Sequence, residues 1–429
     1  MRIPFDEILI AFVGIWSRSL VFSCLSLNQL WRRVRKGAYL RLLDIKQKNY
    51  MRYLALALFL IVALCAHSQK IKFGEWKNLT TSGNLPPQCK LMHSNNNLDL
   101  VKYKGKYYLA FRTAPTHYAS KKVKMYVVSS YDLETWEYET EIALERDVRE
   151  PRFAVYHDTL NLYFFSGGQS IFSFEPHQML MCRSIGSHYW NRPVSTNLDG
   201  FVPWRLRQRN DTLYMSAYDG RNLYNTKHKS NLRLFYTTSA TSFQPFSVNP
   251  QIDAEHAEEG EFIFDKKGDL FATVRLESSG ALICNADHTN IGNWRKVKTK
   301  NKYDSALLFD HNDDLYLVSR RNKDGEMNRY SDSVLTKRQQ IHNMVRYWFT
   351  KKVTSVFKLN KQDLSLTLVS DLPSTGDNAF PGIVKVDDNN YVLMNYSSNI
   401  LGRKKIWFTG QLGKTYIYYT KLAFEQEAK

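Results

Sequence analysis

From Glu258 the chain alternates in blocks. Glu258-Glu259-Gly260-Glu261-Phe262-Ile263-Phe264 turns apolar after its acids, Asp265-Lys266-Lys267-Gly268-Asp269 is a polar turn with a glycine, and Leu270-Phe271-Ala272-Thr273-Val274-Arg275 is apolar until its final base. Two short apolar runs around such a turn predict a β-hairpin, and antiparallel pairing brings the start of the first run and the end of the second to one edge. Glu259 and Arg275 are therefore expected to meet. The same grammar recurs at Leu98 to Arg112, Glu150 to Gly167, Val202 to Tyr218, Tyr303 to Arg320 and Phe380 to Tyr396. Six hairpins at spacings of about 45 to 75 residues are the period of propeller blades.

Four of the intervals add a third apolar run and then an aromatic-bearing one: Met125 to Ser129 with Trp136, Met179 to Cys182 with Trp190, Leu232 to Thr237 with Phe243, and Leu282 to Cys284 with Trp294. Each unit is thus four strands. The last unit, ending at Thr415 to Phe424, lacks its aromatic strand, while Gly74-Glu75-Trp76-Lys77 stands unpaired near the other end of the repeat region. That segment is expected to close the ring as the outer strand of blade six. The fold class is all-β, a six-bladed β-propeller of four-stranded blades occupying residues 69–429; a β-sandwich with coincidental spacing is the alternative. Twenty-six Tyr, twenty-four Phe and nine Trp suit strands, and helix-period apolar patterns are scarce outside one insertion.

Ahead of the repeats, residues 51–68 (MRYLALALFLIVALCAHS) have a basic start, an apolar core from Leu54 to Ala66 and a small-residue site at Ala66-His67-Ser68. So short an apolar run suits an export signal rather than a membrane span. The product is then expected to be secreted or periplasmic, in the cell envelope, with no stable membrane insertion once the signal is removed. Residues 1–50 precede this signal and read as a start-site overcall; the alternative is a membrane-associating segment, given apolar Ile8 to Trp16 and basic Trp31 to Lys36. Residues 1–68 carry ten Lys/Arg and three Asp/Glu, so their loss lowers the formal net charge from +18 to +11. The remaining basicity lacks a Lys/Arg block of the kind that binds nucleic acid; it suits an anionic glycan, an anionic envelope or simply a solvated surface. Of the cysteines, Cys182 and Cys284 fall in third-strand runs, where burial is the default, and no metal-ligand spacing is present. No cofactor is implied, and the oligomeric state is open.

The funnel end, where every inner strand begins, is the place to look for chemistry. Asp99 follows an Asn run in blade one, and Arg112 ends its hairpin. Blade two opens Arg149-Glu150-Pro151-Arg152, with Glu150 placed in the funnel. Trp204 in blade three is either a stacking platform for a sugar ring or packing. Arg320 ends its hairpin at the register of Arg275, and Arg112 sits at a similar one. Three arginines at one register are either a carboxylate clamp or structural partners of Asp99, Glu259 and Asp304. Residues 321–350 leave the repeat as a basic, aromatic-ended insertion, helical over Ser333 to Trp348, on the side where loops cover sites. Blade six opens Ser374-Thr375-Gly376-Asp377-Asn378-Ala379-Phe380-Pro381.

Ser130-Tyr131-Asp132-Leu133-Glu134-Thr135-Trp136 resembles the Asp-box of the sialidase-like propellers, S-x-D-x-G-x-T-W, shortened and with Glu134 in place of Gly. The resemblance implies a turn between strands three and four in which Asp132 accepts backbone N–H groups and Trp136 packs, on the face away from the funnel. Glu259, Gly268 and Arg275 are similar to that family's Glu, Gly turn and Arg, which implies that Glu259 activates a nucleophile and that Arg275 joins Arg112 and Arg320 in holding a substrate carboxylate. Arg149-Glu150-Pro151 is similar to the R-D-P of five-bladed fructosidase and arabinanase propellers, whose carboxylate holds sugar hydroxyls. Phe380 departs from the pattern, because sialidases carry their nucleophilic Tyr there and Phe has no oxygen; Tyr396, at the other end of the same hairpin, is a substitute. No Arg starts the first inner strand either.

The expected function is therefore an exo-acting glycosidase on a terminal sugar, an acidic one among the candidates. Glu259, Asp99 and Glu150 are the candidate acids and bases, and Arg112, Arg275, Arg320, Trp204, Asp304, Asp377 and Tyr396 the substrate-binding set. A non-catalytic glycan-binding propeller that keeps the arginines without a nucleophile is the rival reading, and a structural surface protein a third.

Overall fold

The computed structural model describes residues 69–170, 175–221, 230–254, 256–327 and 335–426; the proposed signal and the fifty residues before it lie outside that set. Six antiparallel sheets follow one another along the chain, and Lys70–Glu425 is one compact unit. Blade one runs outward through Ser94–Tyr103, Lys106–Ala114, Lys124–Ser130 and Glu137–Ile142. Blade four does the same through Ala257–Phe264, Leu270–Leu276, Ala281–Ala286 and Arg295–Lys298, and blade five through Asp304–His311, Asp314–Asn322, Lys352–Leu359 and Leu366–Asp371. Blades two and three each split the outer position between two short strands. The protein is a six-bladed β-propeller.

The ring closes through the N-terminal segment, by a strand that begins earlier than the tryptophan suggests. Gln69–Phe73 is the outermost strand of blade six, paired with Thr415–Gln426, and Lys77–Asn78 pairs with the same strand farther along. Trp76 lies between the two short strands and packs against a buried cluster containing Ile71 and Phe424. The aromatic marks the closing segment correctly, but it works as packing beside the pairing strands.

The Asp-box turn of blade one has the geometry its residues imply. Asp132 accepts from the Glu134 and Thr135 amides at 2.8 Å each, and the Trp136 indole donates to the Leu133 carbonyl at 3.0 Å. Blade four repeats this without the full motif: the Trp294 indole donates to the Ile291 carbonyl at 2.8 Å. Both tryptophans are buried in the main apolar cluster, which runs from blade to blade. Burial of such aromatics between blades adds to the hydrophobic driving force alongside the aliphatic side chains of the same cluster.

The insertion of blade five contains a helix, Lys337–Trp348, capped by Thr336, which accepts from the Gln339 amide while the Gln339 side chain accepts from the Thr336 amide. Its inner stripe is Asn343 and Tyr347. Asn343 donates to the Ser278 carbonyl of blade four at 3.1 Å, and the Tyr347 ring meets Trp407 of blade six edge-on at 5.1 Å. The helix thus lies over the funnel ends of blades four to six.

Candidate functional site

All six inner strands break register near their funnel end. The shifts fall at Asn96/Leu98, Arg149/Arg152, Pro203/Arg205, Glu258/Glu261, Asp304/Leu307 and Ala379/Gly382. The extra residue of a bulge is freed from pairing and its side chain is re-aimed. Five of the bulges hold a non-glycine residue in the left-handed region: Asn97 at φ 43°, Glu150 at 53°, Glu259 at 50°, Ser305 at 48° and Phe380 at 48°. Such a conformation costs on the order of 1 kcal/mol per residue, so the fold stores strain where it presents side chains to the funnel. In four cases the next residue is Pro, Gly or Ala. At Gly260 a Cβ would come within 2.2 Å of Leu232, so the bulge of Glu259 requires glycine there.

A second ring faces the first. The residue paired just before each bulge is Arg112, Phe165, Ala217, Arg275, Arg320 and Tyr396 in blades one to six. Four of these six are hairpin-end positions that the sequence marks as candidates. In blade three the next residue, Tyr218, paired with Val202 one step from the bulge, is missed by a search for charges.

Blades four and five carry the densest charge cluster. Across the strands Arg275 pairs with Glu258, and the bulge turns the next residue back, so that the Arg275 guanidinium donates to Glu259. The other Glu259 oxygen accepts from the Ser305 amide at 2.6 Å. A second guanidinium nitrogen donates to Glu277, which also takes Lys302 at 3.1 Å. Burial opposes the Glu277 charge, but Arg275 and Lys302 outweigh it and hold its carboxyl at about 2. Asp304 faces Arg275 Nε at 3.6 Å, accepts from Arg320 at 3.3 Å and receives the Tyr347 hydroxyl. Tyr347 is itself flanked by Lys352 at 3.5 Å and Lys302 at 4.3 Å over its ring. Burial lowers Lys352 to about 6.

On the opposite side of the funnel, Glu150 accepts from Asn97 at 2.9 Å and faces Arg152 at 3.4 Å. Burial, against the pull of Arg152, pushes its carboxyl up to about 7. Arg152 stacks on Trp204 at 4.7 Å and lies over Phe380 at 5.6 Å, and Trp204 meets Phe380 at 5.4 Å. Trp204 is 1% exposed, so it is packing in the channel wall and offers no open platform for a sugar. Glu258 precedes Glu259 on the inner strand of blade four, and Tyr218 lies on the second strand of blade three. Burial raises Glu258 to about 8 despite Arg275. Burial, followed by the fields of Glu258, Glu150 and Glu259, raises the Tyr218 hydroxyl well above its ordinary value.

Other expected residues are drawn into pairing. Asp99 lies one step deeper than the bulge, with one oxygen on the Phe153 amide at 2.7 Å and the other on Arg205 at 3.2 Å. Arg112 is fully buried, with Asp147 at 2.9 Å, Asn96 at 3.2 Å and the Tyr118 carbonyl at 2.9 Å. The shared register therefore does not produce a trio: Arg275 and Arg320 meet at Asp304, while Arg112 turns to Asp147. Asp377 binds His117 at 2.7 Å, the Tyr396 hydroxyl at 3.1 Å and the Trp407 indole at 3.2 Å. Tyr396, unexposed and committed to Asp377, is not set up as a substitute nucleophile.

Glu258, Glu277, Tyr218, Arg152 and Tyr347 complete the funnel and are not among the candidate site residues named from the sequence. Glu277 and Tyr347 lie beyond the hairpins, on connections whose course only the fold decides. Among the described residues, Asp269, Asp287 and His288 could offer ligand atoms within 4.8 Å of one another; they occupy exposed turns on the face away from the funnel.

No protein-family model matches the chain, and no curated protein sequence does. Solved structures do. A protein of unknown function from Dyadobacter fermentans superposes with a TM-score of 0.56 at 13% identity, over 83% of this chain and 99% of that one. The Trypanosoma rangeli sialidase gives 0.55 at 11% identity, over 77% of this chain and 55% of the sialidase. The fold is that of the sialidase-type propellers. A phage phi92 endosialidase gives 0.52 at 12% identity, over 77% of this chain and 67% of that one. This chain spans about half the length of the trypanosomal sialidase, and identities this low speak for the propeller alone.

Proposed function

We propose that the protein is a glycan-cleaving propeller, an exo-acting glycosidase that removes a terminal sugar at the funnel. The observation that carries this reading is the set of three buried carboxyl groups at the inner-strand bulges of blades two and four, Glu150, Glu258 and Glu259. Glu150 and Glu258 are held up by burial to about 7 and about 8, while Glu259 is pinned by Arg275 and the Ser305 amide. Glycoside hydrolysis uses such a division: a protonated carboxyl gives its proton to the leaving oxygen as the bond to the anomeric carbon breaks, and a second, ionised group assists water on that carbon and takes up its proton. Glu150 or Glu258 serves as the acid and Glu259 as the anchored carboxylate. An acidic sugar is the substrate that would draw on Arg275. Action outside the cytoplasm is part of the proposal, on the strength of residues 51–68.

A second reading, a non-catalytic glycan binder, is favoured by Phe380 at the blade-six bulge and by the commitment of Tyr396 to Asp377. Incubating the protein from Gln69 onward with a panel of terminally capped glycans, and scoring bound glycan and released sugar together, separates the two. Released sugar that disappears in Glu150→Gln and Glu258→Gln supports hydrolysis. Binding with no product from any glycan supports the binder.

A further inference from the structure

The insertion helix is amphipathic in the wrong sense for a helix that only packs on its own protein. Its buried stripe holds Asn343 and Tyr347, whereas the stripe at i, i+4 and i+7 facing solvent holds Ile341, Val345 and Trp348, exposed by 49%, 48% and 43%. Phe349, at the helix end, is 54% exposed and meets Phe408 at 5.7 Å. The segment bearing Phe408 is tied to the helix end, because Lys351 bridges Ile406 and the Trp407 amide donates to the Thr350 carbonyl at 3.1 Å. Monomeric soluble proteins rarely leave such a contiguous apolar strip without a use.

Its charge is equally one-sided. Residues 335–352 and 399–414 together contain nine Lys/Arg and no Asp/Glu; of the nine, Lys352 is buried and Arg403, Lys404 and Lys405 are exposed in a row. We propose that this rim is a membrane-docking face, which lays the outer stripe of Lys337–Trp348 into the headgroup region of an anionic lipid surface while the flanking basic loop pairs with lipid phosphates. Apolar and aromatic side chains on one helix face, flanked mainly by cations, are the composition of interfacial helices, and the acid beside the helix, Glu326, whose carbonyl accepts from Arg346, faces Lys300 at 3.8 Å. A soluble polyanion would use the cations but leave Ile341, Val345 and Trp348 in water, which is why lipid is the occupant the surface fits. The attachment is peripheral: among the described residues no helix is long and apolar enough to cross a bilayer. Because the same helix covers the funnel ends of blades four to six, docking would hold the funnel at the lipid surface.

The test is co-sedimentation of the protein from Gln69 onward, which contains every strand of the closed ring, with phosphatidylcholine vesicles lacking or containing phosphatidylglycerol. Binding is expected only to the anionic vesicles. It should fall roughly tenfold in Ile341→Ser/Trp348→Ser and roughly a hundredfold or more in Arg403→Glu/Lys404→Glu/Lys405→Glu, since each of the three basic residues contributes about 1 kcal/mol at an anionic surface. All five side chains are exposed, so unchanged circular dichroism and Tm are expected and show that the fold is intact. Equal binding to both vesicle types overturns the proposal, as does anionic binding that ignores the Ile341/Trp348 change, which would mean a polyanion site. A dimer in solution that the Ile341/Trp348 change dissolves, without vesicle binding, would assign the strip to a second copy of the chain and overturn it too.

Discussion

Ser305 donates its backbone N–H to the Glu259 carboxylate across the seam between blades four and five, at 2.6 Å. Both residues are bulge residues with left-handed backbone, and Asn97 and Glu150 make the corresponding link between blades one and two at 2.9 Å. The ring therefore orients its own acids: each is fixed by the equivalent residue of a neighbouring blade. Replacing Glu259 by Gln keeps the shape but removes the charge facing Arg275. Loss of turnover with glycan binding nearly intact is expected, along with about 1–3 kcal/mol of lost stability from the buried guanidinium left under-paired. Isothermal titration beside product assays checks the first expectation and thermal melting the second; turnover near wild type would remove Glu259 from the chemistry.

Buried carboxyls and a buried lysine pull the pH dependence of stability in opposite directions. Glu150 and Glu258 titrate at about 7 and about 8 when folded, against 4.5 as the ordinary value. Between those limits the folded state binds more protons than the unfolded, so these two groups make stability fall as pH rises. Lys352, at about 6 against 10.5, acts oppositely: from 6 upward the unfolded state holds the extra proton and stability rises with pH. Below 4.5, the depressed Glu277 carboxyl loses its contribution as pH drops toward 2. Tm should thus decline from pH 4.5 to 6, flatten between 6 and 8 where the effects compete, and recover between 8 and 9, above which the thiols of Cys89, Cys182 and Cys284, raised by burial from 9 to about 12, turn it down again. Glu258→Gln should flatten the first decline, and Lys352→Met should abolish the recovery. A Tm profile that is the same in all three proteins would contradict the assignment of these groups.

Six hairpins, the four-stranded blades and the Asp-box turn were legible because strand alternation and turn residues repeat with a period that local chemistry alone enforces. Glu259 against Arg275 was legible for the same reason. The bulges were not, since a register shift leaves no apolar signature beyond the small residue or proline after Glu150, Glu259, Ser305 and Phe380. Without them Glu258 and Tyr218 look like ordinary strand residues. Arg112 shows the converse: identical register in sequence, but a neighbouring Asp147 that captures it in the fold.

Ring closure by the N-terminal segment makes a stability prediction. Gln69–Phe73 and Lys77–Asn78 satisfy the outer edge of Thr415–Gln426, and Trp76 adds apolar packing. Deleting residues 69–79 exposes that edge and the cluster beneath it, at a cost of several kcal/mol, roughly the loss of one strand with its buried side chains. A fall in Tm with a rise in concentration-dependent aggregation is expected. An unchanged Tm would mean that the last blade is stable with three strands.

On the proposed reading, Arg275 is the residue that would select an acidic sugar. Its guanidinium is shared by Glu259, Glu277 and Asp304 and is 10% exposed at the side chain, so a substrate carboxylate could bind it only by displacing one of these acids. If it does so, Arg275→Ala should weaken a carboxylate-bearing glycan by about 2–4 kcal/mol, the range for a charge-assisted pair left unmade, and a neutral analogue far less. Arg275→Lys, which keeps the charge and loses the planar fork, should recover the fold but only part of the acidic-glycan affinity. Equal weakening of acidic and neutral glycans in both variants would mean that Arg275 serves only to hold Glu259 and Glu277 in place. Selectivity for an acidic sugar would then have to come from elsewhere, and the neutral sugar becomes the substrate to pursue, because the raised Glu150 and Glu258 carboxyls need no arginine to donate a proton.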